Sequence, residues 1–452
     1  MSNTTTETPA QGVAMNFRRY ADSSQAELFE RAMGFMPRAE EIGKRARVAF
    51  RDIRKSSAGM RNQALLNLAE SLELPANVEK IMAANAADLE KADELGISSA
   101  LKDRLKLNDK RIASMIQALR EIAALPDPVG EIESGGRLAS GVEMIKKRVP
   151  LGVVFTIYES RPNVTVDIGA LCVKSGNAAV LRGGKEAIHS NLALHGLFQE
   201  ALRKAGLSED SVIMVDETDR AFMTALLQQD QYLDLVVPRG GEALIKFISG
   251  NSSVPVVKHD KGVCNLFIDA SADPEKALEI AANAKLQRPS VCNAVENLLI
   301  HSGYAGARDL LQGLKERGAE LRGCEKTRAI LPDVEAIADA DEEYGMEYLD
   351  NRLAVKVVDD LDEVADFIFK YGSSHSEAIV AESHEAIDRF SRSLDSAAIF
   401  VNCSTRFHDG GQMGMGAEVG ISTGRLHVRG PMGLRDLTTM TYLVTGRGEI
   451  RR

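Results

Sequence analysis

Gly152-Val153-Val154-Phe155-Thr156-Ile157, then the turn Tyr158-Glu159-Ser160-Arg161-Pro162-Asn163, then the run from Val164 to Val173, is the stretch that decides the fold. The first six residues are apolar or β-branched and read as a buried strand. The turn leads into a helix over 164–173, and Ala178 to Leu181 reads as a second strand. A strand, a crossover helix and another strand form the repeating unit of a parallel, doubly wound sheet. Working outward, further strands are expected at 212–215, 233–237 and 254–257. Helices are expected at 186–205, 220–228 and 242–248.

A second alternating block follows. Its expected strands are 266–269, 296–300, 353–358, 378–381 and 397–401, with helices at 274–286, 305–315, 361–369 and 385–393. The boundary between the blocks falls near residue 260. Upstream, residues 25–125 are rich in Ala, Leu, Lys and Glu at helical spacing, as in 62–72 and 109–125. Pro126-Asp127-Pro128 ends that block. Residues 129–133 and 143–149 read as a hairpin turning at Gly135-Gly136. Such a ribbon buries little alone, so it is expected to pair with another segment or subunit. The β-rich stretch 437–445 is the candidate within the chain. No internal repeat is visible.

The chain has 452 residues, enough for two or three domains, and is 44% hydrophobic and 27% charged. Its net charge of −10 argues against nucleic acid or an anionic membrane as a general partner. No run of 18 apolar residues occurs, and residues 1–15 are polar, read as a disordered tail without a signal-peptide core. The five cysteines (172, 264, 292, 324 and 403) are an odd set, which favours a reducing, cytoplasmic setting over a disulfide framework. Neither CxxC nor HExxH occurs, so no metal site is expected.

Several segments carry candidate chemistry. Asn163 opens a helix, either as a cap or as an uncharged donor to an oxyanion. Leu181-Arg182-Gly183-Gly184-Lys185-Glu186 ends the second strand. There Arg182 and Lys185 suit a 2′-phosphate, Glu186 weakens that reading, and a solvated turn is the alternative. Gly240 and Gly241 follow the fourth strand and open a helix, where backbone can approach an anion, although GxGxxG is absent. Cys292, in Arg288-Pro289-Ser290-Val291-Cys292-Asn293-Ala294, lies between a helix and a strand just past the block boundary. It reads either as a small buried hydrophobe or as a nucleophile whose pKa a nearby Arg288 lowers. The other four cysteines read as packing. His259, just before the boundary, is the histidine singled out. The run Gly410 to Gly416 reads as a substrate loop, and Ser404, Thr405 and Arg406 before it suit a small carboxylate or a solvated loop.

These segments together resemble the gamma-glutamyl phosphate reductase family of the aldehyde dehydrogenase superfamily. The resemblance spans roughly 16–448 and is carried by Tyr158-Glu159-Ser160-Arg161-Pro162-Asn163-Val164-Thr165-Val166-Asp167, Lys174-Ser175-Gly176-Asn177, Val291-Cys292-Asn293-Ala294, Tyr371-Gly372-Ser373-Ser374-His375-Ser376-Glu377 and Arg429-Gly430-Pro431-Met432-Gly433-Leu434-Arg435. It implies an α/β, aldehyde-dehydrogenase-like fold of two doubly wound Rossmann-like domains with a small β oligomerisation hairpin. Residues 16–128 and 150–259 would bind cofactor, 260–428 would be catalytic, and 129–149 with 437–452 would form the oligomerisation flap. The implied reaction reduces L-glutamyl 5-phosphate with NADPH to L-glutamate 5-semialdehyde, phosphate and NADP⁺, in proline synthesis. The resemblance makes Cys292 the nucleophile and Asn163 the oxyanion donor. It puts Arg182, Lys185, Gly240, Gly241 and Glu347 at the cofactor, and Arg161, Ser404, Thr405 and Arg406 are expected at the substrate. A homo-oligomer, and association with glutamate 5-kinase, are further expectations. Aldehyde-oxidising relatives carry a glutamate where this chain reads Lys258-His259-Asp260-Lys261-Gly262. Without that general base a thioester would pass to phosphate rather than to water, and Lys258 and Lys261 could favour the phosphate. Two rival readings are an NAD(P)-dependent aldehyde dehydrogenase releasing a free acid, and a catalytically silent binding protein on the same fold.

Overall fold

The computed structural model describes residues 23–257 and 261–451. The expected tail over 1–15, and Lys258, His259 and Asp260, lie outside the described residues.

The helical block consists of α1 (Ser23–Ile53), α2 (Ala58–Glu73), α3 (Pro75–Glu94), α4 (Ser99–Leu105) and α5 (Asp109–Ala124). Side chains supply the missing partners of the first turns. Ser57, Ser98 and Asn108 accept from the backbone N–H groups of Met60, Leu101 and Arg111. Pro75 opens α3, where its lack of an N–H has no consequence.

A ribbon follows, formed by β1 (Ile132–Arg137) and β2 (Glu143–Pro150) in antiparallel register. Its turn is not at Gly135-Gly136, as expected; both residues lie within β1. The chain reverses over 138–142, where Gly141 takes a left-handed φ of 90° and donates to the Leu138 carbonyl at 2.9 Å. One glycine at the tip satisfies the reversal, and a glycine pair alone does not fix where it falls.

The first sheet contains β3 (Val153–Tyr158), β4 (Ala178–Arg182), β5 (Val212–Met214) and β6 (Leu235–Arg239), all parallel, in the order β5-β4-β3-β6. α6 (Asn163–Lys174), α7 (Ile188–Lys204) and α8 (Arg220–Leu226) make the crossovers, and α9 (Glu242–Asn251) leaves β6. Every residue of β3 and β4 is buried, as expected of a sheet covered on both faces. The strand order reverses between β3 and β6, so their carboxyl ends flank the crevice where such sheets hold ligands. The strand expected at 254–257 is reduced to a single bridge between Val236 and Val256, because Pro255 brings no N–H to a ladder.

The second sheet contains β7 (Cys264–Ile268), β8 (Val295–His301), β9 (Glu320–Gly323), β10 (Glu335–Ala336), β11 (Arg352–Val358), β12 (Ser376–Val380) and β13 (Ala398–Val401). Its parallel order is β10-β9-β11-β8-β7-β12-β13. α10 (Pro274–Leu286) links β7 to β8 and is capped by Asp273. Alternation along β7 serves two cores: Leu266 and Ile268 face one, Phe267 the other. Around β14 (Ile421–Ser422) and β15 (Gly430–Pro431), a short antiparallel pair, the chain rejoins the first core. Val419, Val428, Met432, Leu434 and Leu437 pack there, so packing changes hands before 419 rather than at 428. Finally β16 (Thr438–Thr445) pairs antiparallel with β2, from Thr438 opposite Pro150 to Thr445 opposite Glu143. Among the described residues no helix is long and apolar enough to cross a membrane.

Candidate active site

The β3–α6 turn is fastened from below. Ser160 has a left-handed φ of 39°, rare outside glycine, and the Glu186 carboxylate holds it by accepting from its N–H at 2.8 Å and its hydroxyl at 2.6 Å. Tyr158 and Thr165 share a buried hydrogen bond of 2.7 Å beneath the turn. Pro162, not Asn163, occupies the cap position. The Asn163 side-chain N–H₂ instead donates to Asp167 Oδ2 at 2.8 Å, one helical turn on. Burial pushes the Asp167 carboxyl up to about 6, against the opposing pull of that hydrogen bond and of Arg239. Asn163 is thus an oriented, uncharged donor with its second N–H available.

Cys292 lies on the loop between α10 and β8, and this loop is held at several points. Thr405 Oγ1 donates to the Asn293 carbonyl at 2.7 Å, Asn293 Nδ2 donates to the His408 carbonyl at 3.0 Å, and Cys264 Sγ donates to the Cys292 carbonyl at 3.1 Å. Cys264 is therefore packing, as read, and also a tie to the loop. Gly262 passes so close that a Cβ there would stand 2.0 Å from the Cys292 carbonyl oxygen. At the root of the loop, Lys285 of α10 and Glu296 of β8 form a fully buried ion pair at 2.6 Å. Glu296 also accepts from Leu349 N–H at 3.5 Å, and Glu347 accepts from Gly262 N–H at 3.1 Å. Enclosure pushes the Cys292 thiol up to about 11; the Arg239 charge opposes this, while Glu347 and Glu418 add to it.

Asn163 and the residues just before Cys292 line one cavity of about 470 Å³. Arg161, Asn163 and Asp167 come from the β3–α6 turn, and Arg288, Ser290 and Val291 from the cysteine loop. A third wall, from α4 and α5, brings Asp103, Arg104 and Arg111. Burial, followed by repulsion from Arg239 and Arg104, pulls the Arg161 guanidinium down to about 10, a sign of cations gathered without enough anion. Ser404, Thr405 and Arg406 are not on this cavity. Ser404 caps a short turn, Thr405 holds the cysteine loop, and Arg406 donates to Gln287 at 2.8 Å in a neighbouring depression. Sequence reading missed Arg104 and Arg111: neither stands in a motif, and the walls that meet here are far apart in the chain.

The β3–α6 turn also contacts the cofactor segments, through Glu159 to Gly241 and through Ser160 to Glu186. Arg182 is buried, donates to the Thr218 carbonyl at 2.7 Å, and leaves its Nε without a partner. Lys185 is exposed beside it, while Glu186 is turned away to Ser160. Gly240 is packed against Glu159 and Leu244, where a Cβ would come within 2.7 Å of each, and Gly241 N–H donates to Glu159 at 3.0 Å. An unpaired guanidinium nitrogen, an exposed ammonium and a side-chain-free entry to α9 fit the phosphates of a dinucleotide. Lys261 is tied to the Gly345 carbonyl at 2.6 Å, and Lys258 and His259 lie outside the described residues.

The aldehyde dehydrogenase family model matches residues 17–329. A gamma-glutamyl phosphate reductase of Leptospira interrogans is 54% identical over 412 residues, 91% of this chain and 98% of that protein. The chain belongs to the gamma-glutamyl phosphate reductase family. A relative from Caldanaerobacter subterraneus of the same name is 46% identical over 415 residues, covering 91% and 99% of the two chains. The crystal structure of gamma-glutamyl phosphate reductase from Thermotoga maritima superposes with a TM-score of 0.89 at 44% identity, over 92% of this chain and 100% of that one. As a gamma-glutamyl phosphate reductase, the chain is an oxidoreductase of proline biosynthesis, a glutamate-5-semialdehyde dehydrogenase on the aldehyde dehydrogenase fold.

Proposed function

We propose that this enzyme reduces L-glutamyl 5-phosphate with NADPH through a thioester on Cys292. The observation that carries the reading is the shared cavity of Asn163 and the cysteine loop, whose lining of four arginines against two aspartates has a net charge of +2. Cys292 sulfur attacks the acyl-phosphate carbon and the C–O bond to phosphate breaks. With the thiol held up near 11, its proton leaves as the C–S bond forms, and the departing phosphate is a base at hand. Asn163 Nδ2 and the Cys292 backbone N–H donate to the oxyanion, and Asp167 orients Asn163. Arg182 and Lys185 would hold the 2′-phosphate of NADPH, the backbone at Gly240 and Gly241 its pyrophosphate, and Glu347 a ribose. NADPH, when bound, supplies the hydride that takes the thioester to the aldehyde level. Gly262, pressed on the Cys292 carbonyl, offers no side chain to activate water, which supports phosphate as the partner of the thioester. Lys261 is spent on Gly345, so phosphate is assigned to Arg288 of the cysteine loop instead. The exposed apolar residues of the ribbon, Ile132, Tyr442 and Val444, support a homo-oligomer.

The test is Cys292→Ala together with the reverse assay. The variant is expected to lose turnover and to keep NADPH affinity. Wild-type NADP⁺ reduction with glutamate 5-semialdehyde is expected to require phosphate or arsenate. Turnover without either, releasing glutamate, would favour the aldehyde-oxidising alternative.

A further inference from the structure

The α4–α5 wall of the cavity contains a cation that the reaction centre does not use. Arg111 is spent within the wall: it donates to the carbonyls of Asp103 and Lys106 and, at 3.1 Å, to the Asp103 carboxylate. Nearby arginines of the helical block are likewise engaged, Arg120 with Glu73 and Arg61 with Asp127. Arg104 differs. It is half-buried, lines the cavity and has no hydrogen-bond or ion-pair partner among the described residues. A guanidinium withdrawn from water without a counter-ion is costly, and a bound carboxylate removes that cost through paired N–H···O bonds.

The substrate in the proposed reaction, on which this inference rests, has two anionic groups. Its phosphate is bonded to the carbon that Cys292 attacks, so it lies beside the cysteine loop that carries Arg288. Its α-carboxylate is four carbon–carbon bonds farther along, roughly 5 Å when extended. It therefore needs a cation from a wall other than the cysteine loop. We infer that Arg104 is the specificity-determining residue that binds the α-carboxylate of the amino-acid substrate, with Arg111 and Asp103 locking the turn that presents it.

The reverse reaction separates this from other roles. With glutamate 5-semialdehyde, Arg104→Gln should raise KM for the aldehyde about 10- to 100-fold, the range for a lost charge-assisted bond. The KM values for phosphate and NADP⁺, and the rate of Cys292 alkylation by iodoacetamide, should stay within about twofold. Arg104→Lys keeps the charge and loses the fork, so its aldehyde KM should lie between the two. An unchanged aldehyde KM overturns the inference. So does a matching rise in the phosphate KM, which would put Arg104 at the phosphate. If Arg104→Gln fails to fold, Arg104→Lys decides: a severalfold rise confined to the aldehyde supports the inference, and wild-type behaviour overturns it. A wild-type enzyme that needs no phosphate would defeat the acyl-phosphate reading, while the aldehyde KM would still judge Arg104.

Discussion

Removing Lys285 tests the clamp at the root of the cysteine loop. Lys285 and Glu296 are both fully buried, 2.6 Å apart, and burial pushes each toward its neutral form, the carboxyl up and the ammonium down, against their mutual attraction. Lys285→Met deletes the attraction and leaves a lone buried carboxyl, which escapes by taking up a proton. In the unfolded chain that group titrates near 4.5, so each pH unit above this costs the folded variant about 1.4 kcal/mol. A carboxyl raised in the folded state contributes stability below its unfolded pKa and loses it as pH rises. The variant should therefore be destabilised by roughly 5 kcal/mol at pH 8 and only about 1.5 kcal/mol at pH 5.5. Urea unfolding at the two pH values measures the difference. Adding Glu296→Leu should remove the pH dependence and recover most of the loss, since two apolar side chains leave no charge unpaired. A loss of equal size at both pH values, or a double variant no better than the single one, refutes this account of the clamp. Because Glu296 also receives Leu349 N–H, a fall in Cys292 alkylation rate should accompany the single change.

Two further expectations follow from close packing and burial. Gly262→Ala puts a methyl 2.0 Å from the Cys292 carbonyl oxygen, a backbone atom that cannot swing aside, so kcat should fall about 100-fold while the folded state survives; near-normal kcat in steady-state assays would contradict the contact. Glu377 is fully buried, accepts from Asn265 and Ser396, and its carboxyl is pushed up to about 8 by burial; as a raised carboxyl it contributes stability below about 4.5 and loses it through pH 8, up to about 5 kcal/mol in all, so Glu377→Gln should gain on wild type in urea midpoints as pH rises, and parallel curves would show the reasoning wrong.

The two parallel sheets were legible because their strands are apolar runs bounded by turns, and β3, α6 and β4 lie where the pattern put them. β9 and β10 are not legible for a physical reason: they are strands of only four and two residues at one side of the sheet, β10 being its edge, with Glu320, Arg322 and Glu335 breaking any apolar pattern. The hairpin tip was misjudged because a glycine pair signals flexibility without fixing a register. At the cavity, Asn163, Arg161 and the segment before Cys292 were visible as local motifs. Arg104 and Arg111 were not, because they stand on two helices, α4 and α5, outside any motif, and the approach of those helices to the cavity is a matter of tertiary packing. Ser404 to Arg406 show the converse. Their chemistry suited a carboxylate, but a sequence does not say that the Thr405 hydroxyl points at the Asn293 carbonyl.

The pairing of β16 with β2 sets an order of events during synthesis. β2 leaves the ribosome before any strand of either parallel sheet, and its partner only after both sheets have been translated. For that whole interval the β16 side of β2 presents bare backbone donors and acceptors. The three-stranded ribbon is thus the final piece of secondary structure to close, and closing it joins segments nearly three hundred residues apart. Both the Leu151 N–H and the Asn177 side chain donate to the Leu437 carbonyl just before that last strand, so the same closure also ties down the amino ends of β3 and β4, the central strands of the first sheet. A newborn chain stalled before residue 437 would hold a finished cysteine loop on an unfinished frame.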